Sequence, residues 1–117
     1  MVLAGLLAAG LRGGSARAEQ LTFVMRVEHG QLPASMRIVR VKQGDVVTLR
    51  WSTDQPGELH IHGYEVERNL MPGTVAEIIL TARATGRFPM HLHGPGASAP
   101  GQAHDEAPLG YFEVYPR

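Results

Sequence analysis

From Leu21 onward the apolar residues recur at every second position, and no stretch shows the period of a helix. Leu21, Phe23, Met25 and Val27 share one face, with Thr22, Val24, Arg26 and Glu28 opposite, which is the pattern of a strand with one side buried. His29-Gly30-Gln31-Leu32-Pro33 breaks it, because Gly supplies turn geometry and Pro removes a ladder donor. A second strand is expected over Ser35 to Lys42. Its apolar phase slips from Met36 and Ile38 to Val39 and Val41, predicting a bulge or a crossing between sheets. After the turn Gln43-Gly44-Asp45, a strand over Val46 to Ser52 aligns Val47, Leu49 and Trp51 toward a core. Further strands are expected over Glu58 to Glu65, Val75 to Ala84, Gly86 to His93 and Leu109 to Tyr115. Arg68 to Gly73 reads as a connection, and Gly94 to Pro108, rich in Gly, Pro, Ala and Ser, reads as a long loop. About seven strands with turns at regular intervals predict an all-β chain, a small Greek-key β-sandwich.

The 117 residues suffice for one domain with a single modest core. Eleven basic residues balance eleven acidic ones, so no global field draws the chain to nucleic acid or to an anionic membrane surface. Cysteine is absent, which excludes disulfides, thiolate metal sites and a cysteine nucleophile. Val2 to Leu11 is almost wholly Val, Leu, Ala and Gly, and Ala16-Arg17-Ala18 follows as a small-x-small pattern. Residues 1–18 therefore read as a secretory signal peptide, although no basic residue precedes the apolar run. Its removal leaves residues 19–117 as one mildly acidic domain, with nine basic residues against eleven acidic. The run is too short for a permanent membrane span, and no second stretch reaches spanning length. The expected location is the periplasm or the exterior.

Two strands carry the chemistry. In Glu58-Leu59-His60-Ile61-His62-Gly63-Tyr64-Glu65 alternation puts Leu59 and Ile61 on one face and His60, His62 and Tyr64 on the other. Phe88-Pro89-Met90-His91-Leu92-His93 repeats the arrangement with His91 and His93. These two His-x-His strands hold four of the six histidines, and His104 follows in the long loop beside Asp105 and Glu106. His29, in a turn, reads as solvated, Met90 as a core residue alternating with Phe88 and Leu92, and Tyr64 as a core-edge aromatic with its hydroxyl at the surface.

The order of these features resembles the cupredoxin family. The matching pieces are Val41-Lys42-Gln43-Gly44-Asp45-Val46, the Asp54 loop before a histidine strand, Met71-Pro72-Gly73 before a strand, Gly86-Arg87-Phe88 leading into a ligand strand, and Leu109-Gly110-Tyr111-Phe112-Glu113-Val114 at the close. The resemblance runs from Leu21 to Tyr115. It implies a copper ligand at His60 or His62 and a further one near His93 or His104. The family's cysteine would fall at about Leu92 and its methionine at about Pro108, so the resemblance is to cysteine-lacking cupredoxin-like proteins of bacterial periplasms. It further implies that the two histidine strands end at one pole of the sandwich, gathering His60, His62, His91, His93 and His104.

Blue-copper chemistry depends on the copper–thiolate bond, which this chain cannot make. Imidazole remains, with Glu65, Glu67, Met90, Asp105 and Glu106 as possible helpers, and it suits Cu(II), with Zn(II) as a second choice. The reading is a histidine-held copper in metal handling or a modified redox role, with a metal ion and a periplasmic redox or metal-transfer protein as partners. One alternative is a metal-free structural or interaction module. Another is an enzyme similar to Cu,Zn superoxide dismutase, echoed by His60-Ile61-His62, His93-Gly94 and His104-Asp105 but lacking the full ligand set and the loop disulfide. A third is a cupin, whose first motif resembles His60, His62 and Glu67 and whose second motif is not found. No Ser-His-Asp or paired-carboxylate arrangement stands out, so the reading leans away from an enzyme.

Overall fold

A computed structural model describes residues 17–94 and 107–117. Eight strands follow in order: β1 (Gln20–Val27), β2 (Ile38–Lys42), β3 (Val46–Thr53), β4 (Gly57–Ile61), β5 (Val66–Leu70), β6 (Ala76–Thr81), β7 (Gly86–His93) and β8 (Gly110–Tyr115). They form a three-stranded sheet ordered β1-β3-β6 and a five-stranded sheet ordered β2-β8-β7-β4-β5. Pairing is parallel for β1 with β3 and β2 with β8, and antiparallel elsewhere. The chain passes from one sheet to the other at each step from β1 to β4, then again around β6, as in a sandwich of Greek-key type.

Alternation explains the core between the sheets. Met25 and Val27 of β1, Val47, Leu49 and Trp51 of β3, Leu59 and Ile61 of β4, Met90 of β7 and Phe112 and Val114 of β8 are all buried in one cluster. Each such side chain contributes roughly 1.5–3 kcal/mol relative to exposure. Two local departures from the expected strands have physical causes. The phase slip before β2 is not a bulge: it lies where the chain crosses from the sheet of β1 to that of β2, Ala34–Met36 forming one 3-10 turn behind Pro33 and the strand beginning only at Ile38, where Val39 and Val41 turn inward. The stretch expected as a connection holds β5, an edge strand whose middle residues Glu67, Arg68 and Asn69 are all exposed.

The histidine strand also ends earlier than alternation predicts. Residues 62–65 form a turn, with Gly63 at φ 90° and Glu65 at φ 54°. A Cβ on Gly63 would collide with the Phe88 ring, so glycine serves both the turn and the packing there. Tyr64 consequently turns inward, its ring edge-on to Phe88 at 4.9 Å and to Phe112 at 5.4 Å. Its hydroxyl donates to the Ala84 carbonyl at 2.8 Å and accepts from the Ala84 amide at 3.1 Å.

The turn between β2 and β3 is held by Asp45, only 2% exposed. Its carboxylate accepts from the amides of Lys42 and Glu19, both at 2.9 Å, and pairs with the Arg117 guanidinium. Burial pushes its pKa up, but the Glu19 and Lys42 amides and the Arg117 charge outweigh it and hold the carboxyl below its ordinary value.

Candidate metal centre

β4 and β7 are antiparallel neighbours, with Leu59 opposite Leu92, His60 opposite His91 and Ile61 opposite Met90. Because Leu59, Ile61 and Met90 are buried in the core, the intervening His60 and His91 face outward from the five-stranded sheet. His62 follows β4 in the turn and stays beside β7 through its amide, which donates to the Pro89 carbonyl at 3.1 Å. His93 lies opposite Glu58. Four imidazoles thus form a patch on one outer face.

The antiparallel pairing corrects one expectation: the two strands end at opposite ends of the sheet, so the histidines meet side by side rather than at a common pole. The rings that approach most closely are diagonal neighbours. His60 and His93 have ring centres 4.8 Å apart with planes at 71°, and His62 and His91 have centres 5.2 Å apart with planes at 85°. Along each strand the separations are larger, 6.3 Å for His60 and His62 and 6.0 Å for His91 and His93.

Carboxylates flank the patch. His60 Nε2 lies 3.1 Å from Glu58 Oε1, and His60 Nδ1 lies 3.7 Å from Glu67 Oε2, the residue opposite it on β5. The His60 side chain is 23% exposed, while Glu58 and Glu67 are open to solvent. Donation of one ring N–H to a carboxylate fixes the tautomer and raises the basicity of the other nitrogen, as in carboxylate–histidine–metal arrangements.

These spacings can be set against imidazole coordination. An ion about 2.0–2.1 Å from a ring nitrogen stands about 3.2 Å from the ring centre, so two rings sharing it at about 90–110° have centres about 4.5–5.2 Å apart. The two cross-strand pairs fall in that range and the two along-strand pairs lie beyond it. Among the described residues no group of three or more His, Cys, Asp or Glu is arranged to hold an ion. Centre-to-centre spacing is thus compatible with a shared ion within each cross-strand pair, while the His60 ring nitrogens face Glu58 and Glu67.

The other candidates divide. His104, with Asp105 and Glu106, lies outside the described residues. His29 sits in a tight turn closed by reciprocal amide–carbonyl bonds between Glu28 and Gln31, its side chain 91% exposed and its amide donating to Asp54. Met90 is fully buried, a core residue as its alternation implied. Glu58 is a contact that sequence reasoning missed. Its signal was present, since Glu58 stands two residues before His60 and so shares its face.

No family model and no curated protein matches the chain. Among solved structures it is similar to a chain of the cryo-EM structure of a heme-copper terminal oxidase dimer, at 14% identity and a TM-score of 0.62, over 97% of this chain and 91% of that one. That likeness concerns the fold, which is the cupredoxin-like β-sandwich that the order of sequence features implied.

Proposed function

We propose that this chain is an exported, periplasmic cupredoxin-like protein that binds copper through outward-facing histidines, in copper handling or a modified redox role. The observation that carries the reading is the spacing of His60 and His93, with His62 and His91 repeating it alongside. Imidazole and water suit Cu(II), and the same donors accept Zn(II). The absence of cysteine rules out a blue-copper centre. The fold likeness to a chain from a copper-containing oxidase is in keeping with this reading.

When bound, copper would supply redox or Lewis-acid chemistry. The chain's own residues would do the positioning. Glu58 orients the His60 ring through Nε2, Glu67 faces Nδ1, and the β4–β7 pairing fixes the distance to His93.

Thermal melting of residues 19–117 with added Cu(II) or Zn(II) tests the reading. A ligand held only by the native state at one hundred times its Kd adds about 2.7 kcal/mol of stability. The expected result is a rise in Tm with Cu(II) that His60→Ala plus His62→Ala, which removes one ring from each cross-strand pair, abolishes. No shift with either metal contradicts it and leaves a metal-free interaction module. That second reading draws on a surface ion-pair network on the same five-stranded sheet. Glu113 there pairs with Arg40 at 3.2 Å and Arg87 at 3.3 Å, and Arg87 lies 3.9 Å over the Tyr111 ring.

A further inference from the structure

Among the described residues, Glu19 leads into β1: its carbonyl accepts from the Val46 amide at 2.8 Å, one step before Gln20 pairs with Val46 in the parallel β1–β3 ladder. Its own nitrogen, bonded to Ala18, lies 2.9 Å from Oδ1 of the buried Asp45. Residues 17–20 are exposed, so the Ala18–Glu19 peptide bond lies at the surface while the nitrogen it contributes points at a buried anion. A cleft of about 440 Å³ opens at this point, lined among others by Glu19, Arg40, Lys42, Asp45, Tyr115 and Arg117. On the far side of the bond, Arg117 Nη1 donates to the Arg17 carbonyl at 2.6 Å.

We propose that Ala18–Glu19 is a processing site whose product is built into the fold: cleavage releases a Glu19 α-ammonium that forms an ion pair with the Asp45 carboxylate. The reaction is a hydrolysis by a peptidase selective for small-x-small residues. Water oxygen goes to the Ala18 carboxyl, a water hydrogen goes to the Glu19 nitrogen, and that amine then takes a proton from solvent. An N–H donor at 2.9 Å thereby becomes a full positive charge at the same place. Cleavage one residue earlier would put the charge on Ala18 and leave an uncharged amide at Asp45. Cleavage one residue later would remove the donor to Asp45. The geometry thus selects the same bond as the Ala16-Arg17-Ala18 pattern, through a different property of the chain. Arg117 loses its acceptor on Arg17 and keeps its bond to Asp45, so the carboxylate is shared by two cations. The inference rests on the export part of the proposed function and is independent of metal.

Export of the full chain from a bacterial host, followed by intact mass, is the first step of the test. The expected product is residues 19–117. A product that retains Ala18, or starts beyond Glu19, overturns the proposal, and a chain that is neither exported nor cleaved overturns the export reading with it. The second step uses the fact that Lys42 is the only lysine. In a Lys42→Arg background, amine acetylation modifies Glu19 alone and restores the uncharged amide. Acetylation is expected to lower Tm by about 4–8 °C, the shift that corresponds to about 1 kcal/mol in a domain of this size. In Asp45→Asn it is expected to change nothing. If Asp45→Asn does not fold, Arg117→Gln replaces it, and the loss on acetylation should grow because the α-ammonium becomes the nearest cation to Asp45. Correct cleavage with no effect of acetylation overturns the ion pair and leaves the export reading intact.

Discussion

The imidazole of His60 meets that of His93 across 4.8 Å, although the strand register sets His60 opposite His91 and His93 opposite Glu58. Twist between neighbouring strands brings diagonal side chains together, and long or planar ones can reach. The pairing that matters is therefore made between the two His-x-His motifs rather than within either. The proposed binding site is therefore a property of the β4–β7 contact.

Pairwise substitutions separate the two possibilities. If cross-strand pairs bind copper, His60→Ala plus His62→Ala breaks both pairs and abolishes binding, while His60→Ala plus His93→Ala leaves His62 and His91 and retains part of it. Binding along each strand predicts the reverse. Calorimetric titration with Cu(II) reads the difference as stoichiometry. His62 is exposed but His60, His91 and His93 are only partly so, and the metal-free melting curve of each double variant serves as the baseline against which binding is read.

Gly110 opens β8 where it runs beside β2. A Cβ there would lie inside contact distance of the Arg37 carbonyl, which accepts from the Tyr111 amide at 2.7 Å. Gly110→Ala should destabilise by about 1–3 kcal/mol or more through forced separation of the parallel β2–β8 pair. The denaturation midpoint measures it, and an unchanged midpoint contradicts the close approach.

Tyr64 ties the turn after His62 to Ala84 through two hydrogen bonds. Tyr64→Phe keeps the aromatic packing and gives up the two bonds to the exposed Ala84 backbone, at a cost of about 0.5–1.5 kcal/mol each. The variant should melt lower and, because the ring contacts persist, bind copper as the parent does.

Acid stability should report on Asp45. Its carboxyl is held below the ordinary carboxylate value near 3.8, so its contribution is complete above that value and is lost as pH falls through the lowered folded one. Chemical denaturation as a function of pH should show the parent losing stability below about pH 4 more steeply than Asp45→Asn, with a constant difference between them above about pH 5. Parallel curves through the acid range would contradict this.

Much of this molecule is legible in its sequence because alternation reports burial directly. Val47, Leu49 and Trp51, Leu59 and Ile61, and Phe112 and Val114 face the core as their spacing implies, and the same rule puts His60 and His91 outside. What alternation cannot report is an edge. β5 is bounded by Val66 and Leu70 but exposes Glu67, Arg68 and Asn69, so it carries no strand pattern and reads as a connection. Nor can alternation report which strands become neighbours. The contact of His60 with His93, and the approach of Glu19 to Asp45, span 33 and 26 residues and arise only when the sheets assemble. The end of the histidine strand at Ile61 was signalled by Gly63, but the positive φ of Glu65 was not.

The most direct test of the central claim is the electron paramagnetic resonance spectrum of residues 19–117 loaded with one equivalent of Cu(II). The account predicts coupling to two imidazole nitrogens per copper, no intense thiolate absorption in the visible, and loss of the bound signal in His60→Ala plus His62→Ala. A spectrum without nitrogen coupling, or one that the double substitution leaves unchanged, would contradict it.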